Sequence, residues 1–424
     1  MEQTPLLKVS TLAENMKGSE IIKLAGDVRK KINSGEKIFN YTIGDFDPSI
    51  FPIPKEFEEE IITAYRNSET NYPTPNGLPE LRKSISRFLH TRCGLEYNND
   101  NILVAAGARP LIYSAFQTLL DPGDSVIFPV PSWNNNHYAH LTRANPIVIN
   151  TSAENNFMPS AADINPHIQK ASLIALCSPL NPTGTMLSRS QLLEICSMLL
   201  EENRKRGEMN KPVYLLFDQV YWTLTHGATA HFDPVSILPE MKNYTIYVDG
   251  ISKGFAATGV RVGWALGPQK IINKMQAILT HLGAWAPRAE QVACANYLKN
   301  DKSIDLFQQR FLKEIAVRLR LFYKGFYKLK EDGFRVDAIE PQAAIYLTVK
   351  FNLIGRHTEQ GERLKDSNDI ANYLLDEAQI ALIPFSAFGS SKNSPWFRLS
   401  VGTVNLDDID RFFDALKNAL KKLV

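Results

Sequence analysis

The sequence predicts an α/β protein: a large domain on a mostly parallel sheet, with a smaller α+β domain beside it. Three observations carry this. The chain has 424 residues, more than one hydrophobic core serves, so a second domain or a satellite is expected. From about residue 100, short β-rich runs alternate with helix-period segments. That is the pattern of a parallel sheet covered on both faces. After about residue 300 the alternation stops, and a long charged helix leads into antiparallel-looking runs.

The elements follow in order. Ser19–Lys31 reads as an amphipathic helix, then come a short apolar strand at Lys37–Ile43 and a turn, Gly44-Asp45-Phe46-Asp47-Pro48. Pro79–Arg92 carries Leu81, Ile85 and Leu89 on one helical face. The β-rich runs are Ile102–Ala106, Ser125–Pro129, Pro146–Asn150, Ser172–Cys177, Val213–Asp218, Tyr244–Asp249 and Arg261–Leu266. Helix-period segments lie between several of them, at Pro110–Leu120, Ser188–Arg206 and Pro268–Leu282. The long helix takes Ile304–Glu331, and the antiparallel region includes Val336, Ala344–Lys350 and Gln379–Pro384. A strand at Trp396–Val401 and a helix at Leu406–Leu423 close the chain. The resulting division is 51–305 for the large domain, and 1–50 with 306–424 for the small one.

Composition excludes several classes. The chain is 44% hydrophobic and 22% charged, with a net charge of +2, so a general polyanion binder is not expected. The clusters Arg204-Lys205-Arg206 and Lys421-Lys422 read as solvated helix faces. Cys93, Cys177, Cys196 and Cys294 are far apart and without metal-ligand spacing. They form no disulfide framework and read as reduced thiols. The start, MEQTPLLKVS, lacks the basic and apolar regions of a signal peptide. No apolar stretch reaches the roughly 18 residues of a membrane span. A soluble cytoplasmic protein is the expectation, with neither nucleic acid nor membrane as partner.

Parallel sheets place ligands at the carboxyl ends of their strands. Gly107-Ala108-Arg109-Pro110 opens a helix after one run. Its free N–H groups and positive dipole end suit a phosphate, although plain strand–helix turns look alike. Trp133 follows the next run and can stack on a planar ring or fill a core. In Ser178-Pro179-Leu180-Asn181-Pro182-Thr183-Gly184, prolines on both sides of Asn181 fix the backbone and aim its side chain. Asp218, before Gln219-Val220-Tyr221, ends an apolar strand. A carboxylate there needs a cation such as a pyridinium N–H, unless it caps a helix. Gly250-Ile251-Ser252-Lys253 sets a lysine among small residues at a strand end, a candidate amine nucleophile. Arg261, eight residues on, is placed to fork onto the same phosphate.

These motifs resemble those of pyridoxal-5′-phosphate (PLP)-dependent class I/II aminotransferases of fold type I, nearest the aspartate aminotransferase subgroup common in bacteria. The resemblance spans nearly the whole chain. It adds Gly44-Asp45-Phe46-Asp47, Asn71-Tyr72-Pro73 before Gly77, and Phe397-Arg398-Leu399-Ser400 to the motifs above. It implies that Lys253 holds PLP as a Schiff base and then moves a proton as general base. Asp218 is implied to hold the pyridine nitrogen protonated, Asn181 and Tyr221 to bond the ring oxygen, and Trp133 to stack on the ring. The backbone of Ala108 and Arg109, with Ser252 and Arg261, would hold the phosphate. Tyr72 would reach the neighbouring subunit's phosphate, which implies a homodimer with shared sites. Arg398, assisted by Gly44, would take the substrate α-carboxylate; a structural ion pair is its other reading.

Two positions depart from the family pattern. Gly250 stands where many relatives carry a hydroxyl residue, so one phosphate contact is expected to be missing. Gln219 replaces the commoner Glu after Asp218. For the distal carboxylate of aspartate or glutamate, Arg109 occupies the place of a lysine in the subgroup, and His281 the place of a partner-chain arginine in another. Arg109 pointing to solvent or to an Asp is the other reading. A dicarboxylic donor is the favoured substrate. The alternatives are an aromatic or broad-range aminotransferase, suggested by Trp133, Tyr138 and Trp285, and a fold type I lyase or synthase. A PLP-binding regulator is the reading from another class. Such regulators carry a DNA-binding helix-turn-helix ahead of the fold, and the resemblance begins by about residue 19.

Overall fold

The computed structural model describes residues 8–16, 18 and 20–424. The strands, in chain order, are β1 (Phe39–Asn40), β2 (Ile102–Ala105), β3 (Ser125–Val130), β4 (Asn145–Asn150), β5 (Ala171–Cys177), β6 (Tyr214–Asp218) and β7 (Thr245–Gly250). They continue with β8 (Gly263–Leu266), β9 (Val336–Ala338), β10 (Tyr346–Phe351), β11 (Ile380–Ala381), β12 (Ile383–Pro384) and β13 (Trp396–Ser400).

The large sheet has seven strands in the order β2-β8-β7-β6-β5-β3-β4. All its pairs are parallel except those of β8, which runs antiparallel to both β2 and β7. The link between β7 and β8, residues 251–262, holds only a one-turn helix, Ile251–Gly254, and no full helix of the kind that usually makes a parallel crossover. Side chains alternate between two cores across this sheet. Leu173 and Ala175 face one, with Leu111 and Phe116 of the helix Ala108–Leu119. Ile174 and Leu176 face the other, with Leu192 and Ile195 of the helix Arg189–Arg206. Burial on both faces is why these strands read as apolar runs rather than as alternating ones.

A four-stranded antiparallel sheet, β12-β13-β10-β9, forms a second region. The helix Asp301–Glu331 lays Phe311, Ile315, Leu319, Phe322 and Phe326 along it, and Phe412 and Leu416 of the last helix, Ile409–Lys421, complete that core. β1 pairs in parallel with β11, and Tyr41 and Phe46 enter the same core, so the N-terminal segment packs with the C-terminal region.

The N-terminal helix is Glu20–Asn33, and Ser19, its expected first residue, lies outside the described residues. The expected strand Lys37–Ile43 shortens to Phe39–Asn40, because the following backbone carbonyls serve the cavity described below. Four of the longer helices fall outside the expected elements: Lys55–Arg66, Asn135–Thr142, Arg288–Tyr297 and Ser367–Ala378. Arg288–Tyr297, for example, packs with Ala289, Ala293 and Cys294, residues too small to mark an apolar face by size.

Candidate active site

A cavity of about 1010 Å³ opens at the carboxyl ends of β5, β6 and β7. Gly44, Ala108, Arg109, Trp133, Asn181, Asp218, Tyr221, Ser252, Lys253, Arg261 and Arg398 all line it. Tyr138, Trp285 and His281, also singled out from the sequence, do not line it, and neither does Tyr72. Tyr72 is 82% exposed and packs edge-on against Trp285, with ring centroids 5.3 Å apart.

The phosphate-type corner is built from backbone. Gly107 has φ +89°, and a Cβ there would lie 2.2 Å from the Arg261 guanidinium. Glycine is required for both reasons. Arg261 donates to the carbonyls of Thr258 (2.6 Å) and Ala106 (2.9 Å), which holds it over the N-terminus of Ala108–Leu119. The neighbouring strands close on one another. A Cβ on Gly263 would meet the backbone of Gly107 at 2.6 Å, and one on Gly250 would meet the Cα of Gly263 and the carbonyl of Val262 at 2.9 Å. A hydroxyl residue at Gly250 therefore has no room while β7 and β8 keep this spacing.

Asp218 ends β6, and its carboxylate accepts from the Val220 N–H at 3.1 Å. No helix follows it, which removes the helix-cap reading. No cation pairs with it among the described residues, and burial pushes its carboxyl up to about 6. Lys253 sits in the one-turn helix after β7 and donates to the Gly44 carbonyl at 2.6 Å. Burial pushes its amine down to about 8, Asp45 opposes this, and Arg398, Arg109 and Arg261 add to it. An amine of that kind is a nucleophile and a base near neutral pH.

Arg398 projects from β13 and is only 2% exposed. It donates to Asn181 Oδ1 (3.0 Å) and the Thr42 carbonyl (2.5 Å), and its Nε is unpaired. Both partners are neutral, so it is not a structural ion pair. A buried cation without a counter-charge invites an anion. The Arg109 guanidinium lies 5.2 Å from the Trp133 ring centroid and forms no ion pair among the described residues. Trp133 also leans on Phe388. His281 is exposed on the helix Gln269–Leu282.

Sequence reasoning missed several members. Asp45 accepts from Thr258 Oγ1 at 2.6 Å. Cys177 lines the cavity, and Ala25, Arg29 and Ile32 of Glu20–Asn33 reach its rim. The Tyr346 hydroxyl meets that of Tyr221 at 2.7 Å, but Tyr346 lies in the apolar run Tyr346-Leu347-Thr348-Val349 and reads as core. Among the described residues no cluster of His, Cys, Asp or Glu is fit for a metal, and no helix is long and apolar enough to cross a membrane. The cysteines are unpaired.

A depressed amine beside an unopposed guanidinium, at strand ends, is the equipment of an enzyme acting on small anionic molecules. Comparison with known proteins narrows the class. The family model for aminotransferase class I and II matches residues 36–416, so the chain belongs to that family and is a transaminase. It is 29% identical over 414 residues to an aspartate aminotransferase of Rhizobium meliloti (strain 1021), covering 96% of this chain and 92% of the relative. It is 27% identical to a probable aspartate/prephenate aminotransferase of Rickettsia prowazekii, covering 98% and 99%. The crystal structure of the aspartate aminotransferase from Rhizobium meliloti matches with a TM-score of 0.89 at 27% identity, over 99% of this chain and 100% of that one. The fold is that of fold type I.

Proposed function

We propose that this transaminase uses PLP to move an amino group between a dicarboxylic L-amino acid, aspartate or glutamate, and a 2-oxoacid. The observation that carries this is Lys253, its amine lowered by burial to about 8, in one cavity with the uncompensated Arg398 cation. The donor set fits the cofactor. Asp218 is a buried carboxyl lacking a cation, as a pyridine N–H requires. The corner between Gly107 and Arg261 is one that a Cβ would fill.

In this reading Lys253 anchors PLP, with Ser252, Arg261 and the N–H groups of Ala108 and Arg109 on the phosphate. Asn181 and Tyr221 bond the ring oxygen, and Trp133 stacks on the ring. Bound there, PLP supplies the electron sink that makes a substrate Cα–H acidic. Arg398 forks onto the α-carboxylate, with Gly44 beside it, and so orients the Cα hydrogen. The Lys253 amine would act as the general base that takes the substrate's Cα proton and passes it on. Asp218 would hold the ring nitrogen protonated.

Arg109 is assigned to the distal carboxylate, since it faces the cavity without an acidic partner. The names of the relatives point the same way. Tyr72, exposed and outside this chain's own cavity, is assigned to the partner subunit's phosphate in a homodimer. The reading also holds a cytoplasmic location and two domains, 51–305 and 1–50 with 306–424.

A panel of amino acids, tested by absorbance for conversion of the bound cofactor, examines this directly. Aspartate or glutamate is expected to convert it, and Arg109→Ala to lose aspartate turnover while keeping phenylalanine turnover. Full aspartate activity in Arg109→Ala sinks the assignment. Release of ammonia and pyruvate without cofactor conversion would make the enzyme a lyase.

A further inference from the structure

Tyr346 is fully buried, and its position is set by strand register. It pairs with Ser400, and Thr348, two residues on, pairs with Arg398. Paired residues and their second neighbours share a sheet face, so Tyr346 and Arg398 project together. That face meets the Asn181–Gly184 turn. Thr348 Oγ1 donates to the Thr183 carbonyl at 2.8 Å, and a Cβ on Gly184 would lie 2.3 Å from the Tyr346 carbonyl. These contacts fix the backbone that carries Tyr346.

Its side chain touches three groups that the proposed function uses. The hydroxyl lies 2.7 Å from that of Tyr221. It also lies 2.9 Å from the place of a Cβ on Gly44, so it closes the loop that receives the Lys253 amine. The ring centroid is 4.8 Å below the Arg398 guanidinium. A phenol has one proton to donate. If Tyr221 gives its proton to the cofactor's ring oxygen, it has none for Tyr346, and Tyr346 must be the donor of that pair.

We propose that Tyr346 is a positioning residue that donates to the Tyr221 hydroxyl and thereby directs the single Tyr221 proton onto the cofactor's ring oxygen. This rests on the PLP reading above. The charged and titratable groups around the two phenols are Arg398 from β13, Asp45 from the loop after β1, Cys177 at the end of β5, and Lys253, whose Nζ is 5.9 Å from the Tyr221 ring centroid. Burial pushes both phenols above the ordinary tyrosine range, and Arg398 opposes this. Donation to the ring oxygen draws negative charge from it, which disfavours a proton on the adjacent cofactor nitrogen. Loss of the Tyr346 donor should therefore raise the pH midpoint of the bound cofactor's absorbance change.

The test uses the PLP-loaded enzyme and reads that midpoint in Tyr346→Phe, Tyr221→Phe and the double variant. Tyr346→Phe is expected to raise the midpoint by roughly half to one pH unit, the scale of one buried hydrogen bond. Tyr221→Phe should raise it further, and the double variant should match Tyr221→Phe alone, because Tyr346 acts only through Tyr221. A merely structural Tyr346 would leave the midpoint in place or add to the effect of Tyr221→Phe, and either result overturns the proposal. Should Tyr346→Phe not fold, 3-fluorotyrosine at 346, a stronger donor of nearly equal volume, is expected to lower the midpoint; a rise or no shift overturns it. Wild-type protein that takes up no PLP overturns the proposed function together with this inference. A normal wild-type spectrum with an unmoved Tyr346→Phe midpoint overturns this inference alone.

Discussion

Replacing Arg398 by methionine should separate substrate binding from folding. Arg398 is 2% exposed, its two acceptors are neutral, and its Nε has no partner. Against binding, the variant loses a buried forked pair with a carboxylate and leaves that carboxylate unpaired, at about 3–5 kcal/mol. At about 1.4 kcal/mol per decade, kcat/KM for aspartate should fall roughly a hundred- to several-thousand-fold. Against folding, two opposite effects meet. Asn181 Oδ1 and the Thr42 carbonyl lose their donor, which costs about 1–3 kcal/mol. Removing a buried cation that lacks a counter-charge gives back a similar amount, about 1–4 kcal/mol. Tm should therefore stay within about 5 °C of wild type. Arg398→Lys keeps the charge but not the fork, and should recover only part of the activity. Stopped-flow absorbance of the aspartate half-reaction and thermal unfolding read the two effects. A well-folded Arg398→Met within tenfold of wild-type kcat/KM would refute the carboxylate role. A collapse of Tm with the substrate affinity intact would return Arg398 to a structural part.

Other outcomes are equally checkable. Lys253→Ala should fold and hold PLP without a covalent link, yet lose the wild-type absorbance band and nearly all turnover; a fully active variant would overturn the whole reading. In the cofactor-free enzyme the Lys253 amine is lowered from 10.5 to about 8, so between those values the unfolded chain binds more protons and stability from this group rises with pH. The stability advantage of Lys253→Met over wild type should thus be fullest below pH about 8 and fade towards pH 10.5, as denaturant titrations across that range would record; a constant advantage is the contrary result. Gly250→Ser places a Cβ 2.9 Å from the backbone of Val262 and Gly263, where no side chain can yield. It should cost about 1–3 kcal/mol and be seen as a lowered Tm, and an unchanged Tm would show that the two strands can part freely.

Much of this protein is local, and local features were legible. Strand, turn and helix alternate within short windows, so Ile102–Ala105, Ala171–Cys177 and Tyr214–Asp218 announce themselves, and Asp218 stands at a strand end, with Asn181 and Lys253 just past others, where a parallel sheet puts ligands. The sequence by itself determined which groups could do chemistry and in what chain order. Tertiary structure decided the rest, because the deciding contacts join residues far apart in the chain. The antiparallel course of β8 is set by its pairing with β2, far away in the chain, and with β7. Neutral partners brought from Thr42 and Asn181 turn Arg398 into an open anion site. Gly250 reads as a missing contact in sequence, yet in space its lack of a Cβ lets β7 and β8 close up. Tyr346 looks like core in its own strand, and only the fold sets its hydroxyl against Tyr221, 125 residues away. Burial and long-range approach set both the Lys253 amine and its neighbours, and neither is written in any short stretch of sequence.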